Sequence, residues 1–367
     1  MSGVIRIRLE QRPAPARWLG LAVGPLTIVV TFVLTLGFVF AAGANPLTAY
    51  RTFIVEPLTS RFTLLEVLVS ATPLLFTGAA VAIAFRAGYW NIGAEGQLLV
   101  GAIAATWAGT HVGGAPRVVA IAAVAGAGAV GGAVWALAPA LMRVHLSIDE
   151  VVTTLLLNPV ALLLVTGLLN GPWRNPETHF PESKRISSNA QFPQILPDSR
   201  LHLGFVIALV IVGILWFVLG RTATGLRLRA SGLSPEAARF AGIGVGRLLL
   251  GTALTSGAIA GIAGASEVAG INYQLTDGIS SGFGYTGIVV ATLGGLSMLG
   301  VVVASLFLGD LVVGADSAGL ELGVPSQLAD IVKGALLLVV IALLVLRRYR
   351  LSFRRPAGGG VEPGSSA

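Results

Sequence analysis

The chain has 367 residues, of which 54% are hydrophobic and only 11% charged, where a soluble domain averages about 25% charged. That balance makes lipid the main solvent, and the absence of cysteine excludes disulfides, thiolate metal sites and a cysteine nucleophile. The net charge of +7 is spread between apolar runs rather than gathered in a block, so it speaks for orientation in a membrane and not for nucleic acid.

A membrane span needs roughly 20 mainly apolar residues. On that rule the sequence predicts an all-α, polytopic transmembrane helix bundle of about ten spans, eight to ten in all. An N-terminal tail, 1–17, carries Arg6, Arg8, Arg12 and Arg17. The apolar run 18–42 follows; it is too long for a signal-peptide core and reads as a retained first span. Further spans are predicted at 63–85, 97–112, 118–141 and 151–170, then a long polar loop at 171–202. Next come 203–220, a basic loop at 221–247, and 248–271. The runs 285–298 and 299–314 read as two short helices or one broken one, because Gly294, Gly295 and Gly300 interrupt them. A last span, 328–346, closes a membrane domain of 18–346. The C-terminal tail, 347–367, is basic at first and then rich in Gly, Pro and Ser, a composition that favours disorder.

Orientation follows from the basic residues. If both termini are cytoplasmic, 16 Lys/Arg lie in the inner segments and seven in the outer ones. The positive-inside rule therefore places both termini and the 221–247 loop in the cytoplasm, and 171–202 outside. The proline-rich 171–202 loop reads either as a solvated linker or as a docking surface for an external partner.

Glycine is abundant, and Gly128/Gly132 and Gly257/Gly261 have GxxxG spacing, which lets helices approach closely in lipid. Polar residues inside apolar runs are costly and mark cavities or partners. Asn91, Glu95 and Gln97 lie between two runs among Gly88, Gly93 and Gly96. They read either as a helix break lining a pathway or as a solvated cytoplasmic turn. Thr154 and Asn158 share a helix face at i, i+4, for pore lining or for interhelical bonding. Glu267 and Asp310 are carboxylates in apolar runs and candidate functional groups. Tyr285, with Tyr89, Trp90 and Phe283, offers rings for stacking a base or for packing. In the basic loop, Ser234 suits an N-cap, Pro235 the first helical position and Gly242 a left-handed stop, so a helix of about two turns is predicted there.

Glu236-Ala237-Ala238 followed by Gly242 resembles the E-A-A-x-x-x-G loop of ABC importer permeases. The segment from Phe85 to Gln97, FRAGYWNIGAEGQ, Asp149 to Asn158, DEVVTTLLLN, and Gly282 to Gly294, GFGYTGIVVATLG, are similar to three motifs of the branched-chain amino-acid/simple-sugar permease superfamily, in its nucleoside-type branch. They occur in the family's order across most of the chain. The resemblance implies a permease that is not itself an enzyme and that moves a small polar solute, nucleosides or alternatively simple sugars, across the bacterial plasma membrane. It implies a separate ATP-binding cassette subunit, a second permease subunit (a related chain or a second copy) and an external substrate-binding lipoprotein. With such a permease in view, Asn91, Glu95, Gln97, Thr154, Asn158 and Tyr285 are the candidates for its substrate pathway. Gly232, Pro235, Glu236, Ala237, Ala238, Arg239 and Gly242 fall to a coupling helix that meets the ATPase. No cofactor is implied.

Other readings have less behind them. An ion-coupled transporter would use Glu267 or Asp310 and leave 232–242 without a role. Gly278-Ile-Ser-Ser-Gly282 matches GxSxG, but it lacks the strand-turn-helix setting of a nucleophile elbow. The four histidines are scattered without zinc spacing. No GxxxxGK[ST] phosphate loop occurs, so ATP chemistry would need another chain.

Overall fold

The computed structural model describes residues 6–11, 17–322 apart from 42 and 44, and part of 327–354. The order is β1 (Arg6–Gln11), α1 (Arg17–Ala41), α2 (Pro46–Ile54), α3 (Arg61–Arg86), α4 (Ala94–His111), α5 (Arg117–Leu146), α6 (Glu150–Asn170) and α7 (Leu203–Arg221). There follow α8 (Ala223–Leu233), α9 (Pro235–Phe240), α10 (Val245–Glu267), α11 (Phe283–Leu293), α12 (Met298–Leu322) and β2 (Tyr349–Arg354). Among the described residues six helices are long and apolar enough to cross a membrane: α3, α5, α6, α7, α10 with the π-helical turn Val268–Asn272, and α12. A seventh results if Pro25–Ala41 and Pro46–Leu58 form one broken span.

The expectation of about ten spans also counts 18–42, 97–112, 285–298 and 328–346. The first two run as α1 and α4. The third is shorter than expected. α11 ends at Leu293, and Gly295 and Leu296, both at positive φ, turn the chain straight into α12. Its 11 residues rise only about 16 Å, half a bilayer core. The fourth lies largely outside the described residues; those of it that are described are helical.

The bundle core is built on small residues. α5 turns Ala120, Val124, Gly128, Gly132, Ala136 and Ala140 inward at four-residue spacing, the stripe expected of a helix with one buried face. Gly128 and Gly132 press on Gly257 and Gly261 of α10, so closely that a Cβ on any of the four would overlap the facing backbone. The GxxxG pairs are thus one crossing within a single chain. Outward faces such as Leu162, Leu163 and Leu164 on α6 remain exposed and apolar, as lipid-facing positions must be.

Outside the bundle, β1 and β2 pair antiparallel, Arg6 opposite Arg354. The segments 6–11 and 349–354 are therefore neighbours in space. The alternation of basic and apolar residues in the two segments is the period-2 signal for strands, which the reading of 1–17 and 347–367 as tails passed over.

The 171–202 segment is not a solvated linker. It folds back over one end of the bundle and is pinned by backbone bonds: Ser183 N–H to Leu275 O at 2.9 Å, Ile186 N–H to Tyr273 O at 2.9 Å and Phe192 N–H to Ala269 O at 2.9 Å. Ile186, Ala190 and Phe192 are buried beneath it. Arg200 then clamps Glu66, at the start of α3, with Nε 3.1 Å from each carboxylate oxygen. That bonding holds the guanidinium above its ordinary range.

His202 closes the segment and caps α7. Its Nδ1 accepts from Gly204 N–H at 3.1 Å, and its ring fills a slot against Gly204 and Gly270 where no Cβ would fit. Burial pushes its pKa down to about 4, from an ordinary value of about 6.5. The unfolded chain therefore binds the proton first. Stability from this site is present above about pH 6.5 and is lost as pH falls toward about 4, by at most about 3 kcal/mol. Melting curves of the wild type and His202→Gln between pH 7.5 and 4.5 should converge as pH falls, because only the wild type loses this contribution.

Candidate functional site

Asn91, Glu95, Gln97, Thr154 and Asn158, expected at a substrate pathway, gather at the break between α3 and α4. Gly88, at φ 81, ends α3, and α4 restarts at Ala94 with Gly93 as an N-cap that lends no side chain. The exposed amides are taken by α6: Ile92 N–H donates to Thr154 Oγ1 at 3.1 Å and Gly96 N–H to Asn158 Oδ1 at 2.9 Å. Asn158 Nδ2 returns a bond to Ile92 O at 3.0 Å. The i, i+4 pair on α6 is thus a clamp for the broken backbone.

Asn91 and Gln97 exchange both amide bonds, at 2.9 and 3.1 Å. Asn91 Nδ2 also donates to Ser256 Oγ on α10 at 2.9 Å, and Ser256 Oγ donates to Ala80 O on α3 at 2.6 Å. Three helices, α3, α4 and α10, are tied through one fully buried amide. Asn91 and Gln97 are essentially inaccessible and Glu95 is buried, so the break is not a solvated turn. Ser256 escaped the sequence reading; its signal was a hydroxyl among small residues in an apolar span.

Glu95 faces a second broken helix. Gly282, at φ 79, turns the chain into α11, and Gly284 N–H donates to Glu95 Oε2 at 2.7 Å. A carboxylate at a helix N-terminus is stabilised by the free amides and the helix dipole. Gly284 lies so close to the Glu95 backbone that a Cβ would overlap it. Thr77 Oγ1 on α3 donates to Phe283 O at 3.0 Å. The N-termini of α4 and α11 therefore converge, the arrangement by which discontinuous helices offer amides to solutes. Tyr285 and Trp90 expose about half their surface, at 43% and 51%.

The two carboxylates in apolar runs fall elsewhere. Glu267 is the last residue of α10, an electrostatic neighbour of Arg200 at the capped end. Asp310 is buried within α12, and its Oδ1 has no hydrogen-bond partner among the described residues. No group of three His, Asp or Glu side chains suited to a metal occurs among the described residues.

At the opposite end, α9 forms as its sequence predicts. Ser234 Oγ accepts from Ala237 N–H at 3.3 Å, Pro235 opens the helix and Gly242, at φ 79, ends it. Ala238 is buried against the bundle, while Glu236, Ala237, Arg239 and Phe240 face out. Gly232, at the end of α8, presses on the break itself: its Cα lies 3.1 Å from where a Cβ on Gly88 would sit, and a Cβ of its own would overlap Arg86 O. The end of α8, next to the short helix, and the polar break thus share one glycine-to-glycine contact.

Residues 63–341 match the family model for the permease component of branched-chain amino acid transport systems. The chain belongs to this permease family. A glucose ABC transporter permease of Haloferax volcanii is 34% identical over 369 residues, covering 98% of this chain and 97% of its own. A guanosine ABC transporter permease of Bacillus subtilis is 37% identical over 294 residues, 78% of this chain and 82% of its own. A nucleoside ABC transporter permease of Lactococcus lactis is 30% identical, covering 88% and 90%. The permease is accordingly a multi-pass membrane protein and an ABC transporter subunit. Its matched region takes in the α3–α4 break, the α6 clamp and α9.

Proposed function

We propose that this permease carries nucleosides into a bacterial cell across the plasma membrane, through about ten spans with both termini cytoplasmic. The meeting of β1 and β2 supports an even number of crossings, and the excess of arginine supports the side. A separate ATP-binding cassette subunit seats on α9, through Pro235, Glu236, Ala237, Ala238, Arg239 and Gly242, and hydrolyses the ATP. The permease works beside a second permease subunit and takes its solute from an external substrate-binding lipoprotein that docks on the 171–202 cap.

The observation that carries this reading is the contact of Gly232 with Gly88. A displacement of α9 reaches the α3–α4 break through α8, whose last residue, Leu233, is joined to Pro235 by Ser234 alone. Asn91, Gln97, Thr154 and Asn158 brace the pathway wall, Glu95 ties it to α11, and Tyr285 and Trp90 offer ring faces to the base. Alternating access then amounts to a shift of two broken helices against α6 and α10.

Simple sugars are a second reading, favoured by the glucose permease relative that covers nearly the whole chain. Uptake of radiolabelled guanosine and glucose, in cells with and without the permease gene, separates the two. Nucleoside transport predicts loss of guanosine uptake with glucose uptake intact; the reverse pattern identifies a sugar permease.

A further inference from the structure

A cavity of about 180 Å³ lies beside α9, among the α3–α4 break, the end of α5, the end of α8 and the start of α10. Water fills liquid volume at about 30 Å³ per molecule, so the cavity has room for a small polyatomic group. Buried Ala87, Ser231 and Val245 form its floor, and Arg143, Ser147 and Arg239 stand nearer the surface. No carboxylate lines it.

The lining side chains include two guanidiniums and two hydroxyls, and no carboxylate. The Ser231 hydroxyl is 1% exposed and has no hydrogen-bond partner among the described residues. An unpaired buried hydroxyl is disfavoured, so this position calls for a ligand. α10 starts here with Gly244 as an N-cap that supplies no side chain. The first-turn amides of this 23-residue helix, at Gly246 and Arg247, have no intrahelical acceptor, and such a terminus attracts anions. Arg143 gives its Nε to Glu150 at 3.0 Å, and a guanidinium carries four further N–H donors. Arg239 enters no ion pair among the described residues.

We propose that this cavity binds a phosphate group, belonging either to a phospholipid headgroup or to a free phosphate compound. A phosphate brings several acceptor oxygens and a charge, which answers two guanidiniums, a helix N-terminus and a hydroxyl together. Gly88 and Ser231 are both lining residues, so the bound group lies against the contact between the break and α8. Occupancy would stiffen that link. Pro235 and Arg239 also belong to the proposed ATPase seat, so the site is tested on the permease alone.

The test uses the full chain, without any ATPase, in nanodiscs of phosphatidylcholine. Phosphatidylglycerol is added in one arm and inorganic phosphate in the other; native mass spectrometry and thermal unfolding read binding. The wild type should bind at least one probe about tenfold more tightly than Arg239→Gln and Ser231→Val. Retention of phosphatidylglycerol that millimolar phosphate does not displace assigns a lipid. Stabilisation by phosphate alone assigns a free phosphate compound. Should either variant fail to fold, Arg143→Lys, which keeps a cation for Glu150 but loses the planar fork, should also bind more weakly. Equal binding by the wild type and every folded variant, or no binding of either probe by the wild type, overturns the proposal.

Discussion

Replacing Gly261 with leucine is expected to keep the permease from accumulating in the membrane. Gly261 sits where α4, α5 and α10 cross. A Cβ on Gly101, Gly128 or Gly132 would strike its backbone, and a Cβ on Gly261 would strike Gly128 O and approach Gly132 N. The obstacles are backbone atoms, which cannot rotate aside as a side chain can. Overpacking of a tight interior costs about 1–3 kcal/mol even where side chains yield, so this substitution should exceed the upper figure. Helix association in lipid rests on such close packing, since lipid tails supply no hydrophobic drive between helices. Gly167, which has open space around it, provides the contrast: Gly167→Leu should accumulate at close to the wild-type level. Quantifying the folded protein by fluorescence-detected size exclusion compares the two.

Gly232→Leu should leave a folded permease that no longer couples. The substitution forces α8 away from Arg86 and Gly88, while the α5–α10 crossing is untouched. Uptake should fall at least tenfold while the associated ATPase continues to hydrolyse ATP. Gly242→Ala serves as the milder companion. Gly242 is at φ 79 with open space around it, so alanine there meets only the left-handed backbone penalty of about 1–2 kcal/mol. Its uptake should fall less than that of Gly232→Leu. Paired measurements of ATP hydrolysis and uptake in proteoliposomes check both variants.

Much of this site was legible in sequence because it rests on local rules. Ser234, Pro235 and Gly242 specify a short capped helix without reference to anything else, and it forms at the expected residues. The GxxxG spacing announced close packing, though not its partner. The i, i+4 spacing of Thr154 and Asn158 announced a shared face, but not that its work is to satisfy the amides freed at Ile92 and Gly96. Non-local features were hidden. The prolines and charges of 171–202 have the composition of a linker. Yet its apolar minority, Ile186, Ala190 and Phe192, is what docks, and that docking depends on backbone partners some 80 residues further along. α11 looked like a span because its apolar run carries on to Met298; only the left-handed turn at Gly295 and Leu296 cuts it short. Glu95 reads as an isolated charge in sequence and becomes intelligible only beside the amide of Gly284, 189 residues away.

The claim that α9 is the seat of an ATPase is tested most directly by cross-linking, because the chain has no cysteine of its own. Phe240 is 98% exposed on α9, and Lys184 is exposed on the cap at the other end of the bundle. Each is replaced by cysteine in the assembled transporter and treated with a short thiol-to-amine reagent. The account predicts that Phe240→Cys links the permease to its ATP-binding subunit and that Lys184→Cys does not; linkage from position 184 with none from position 240 would contradict it.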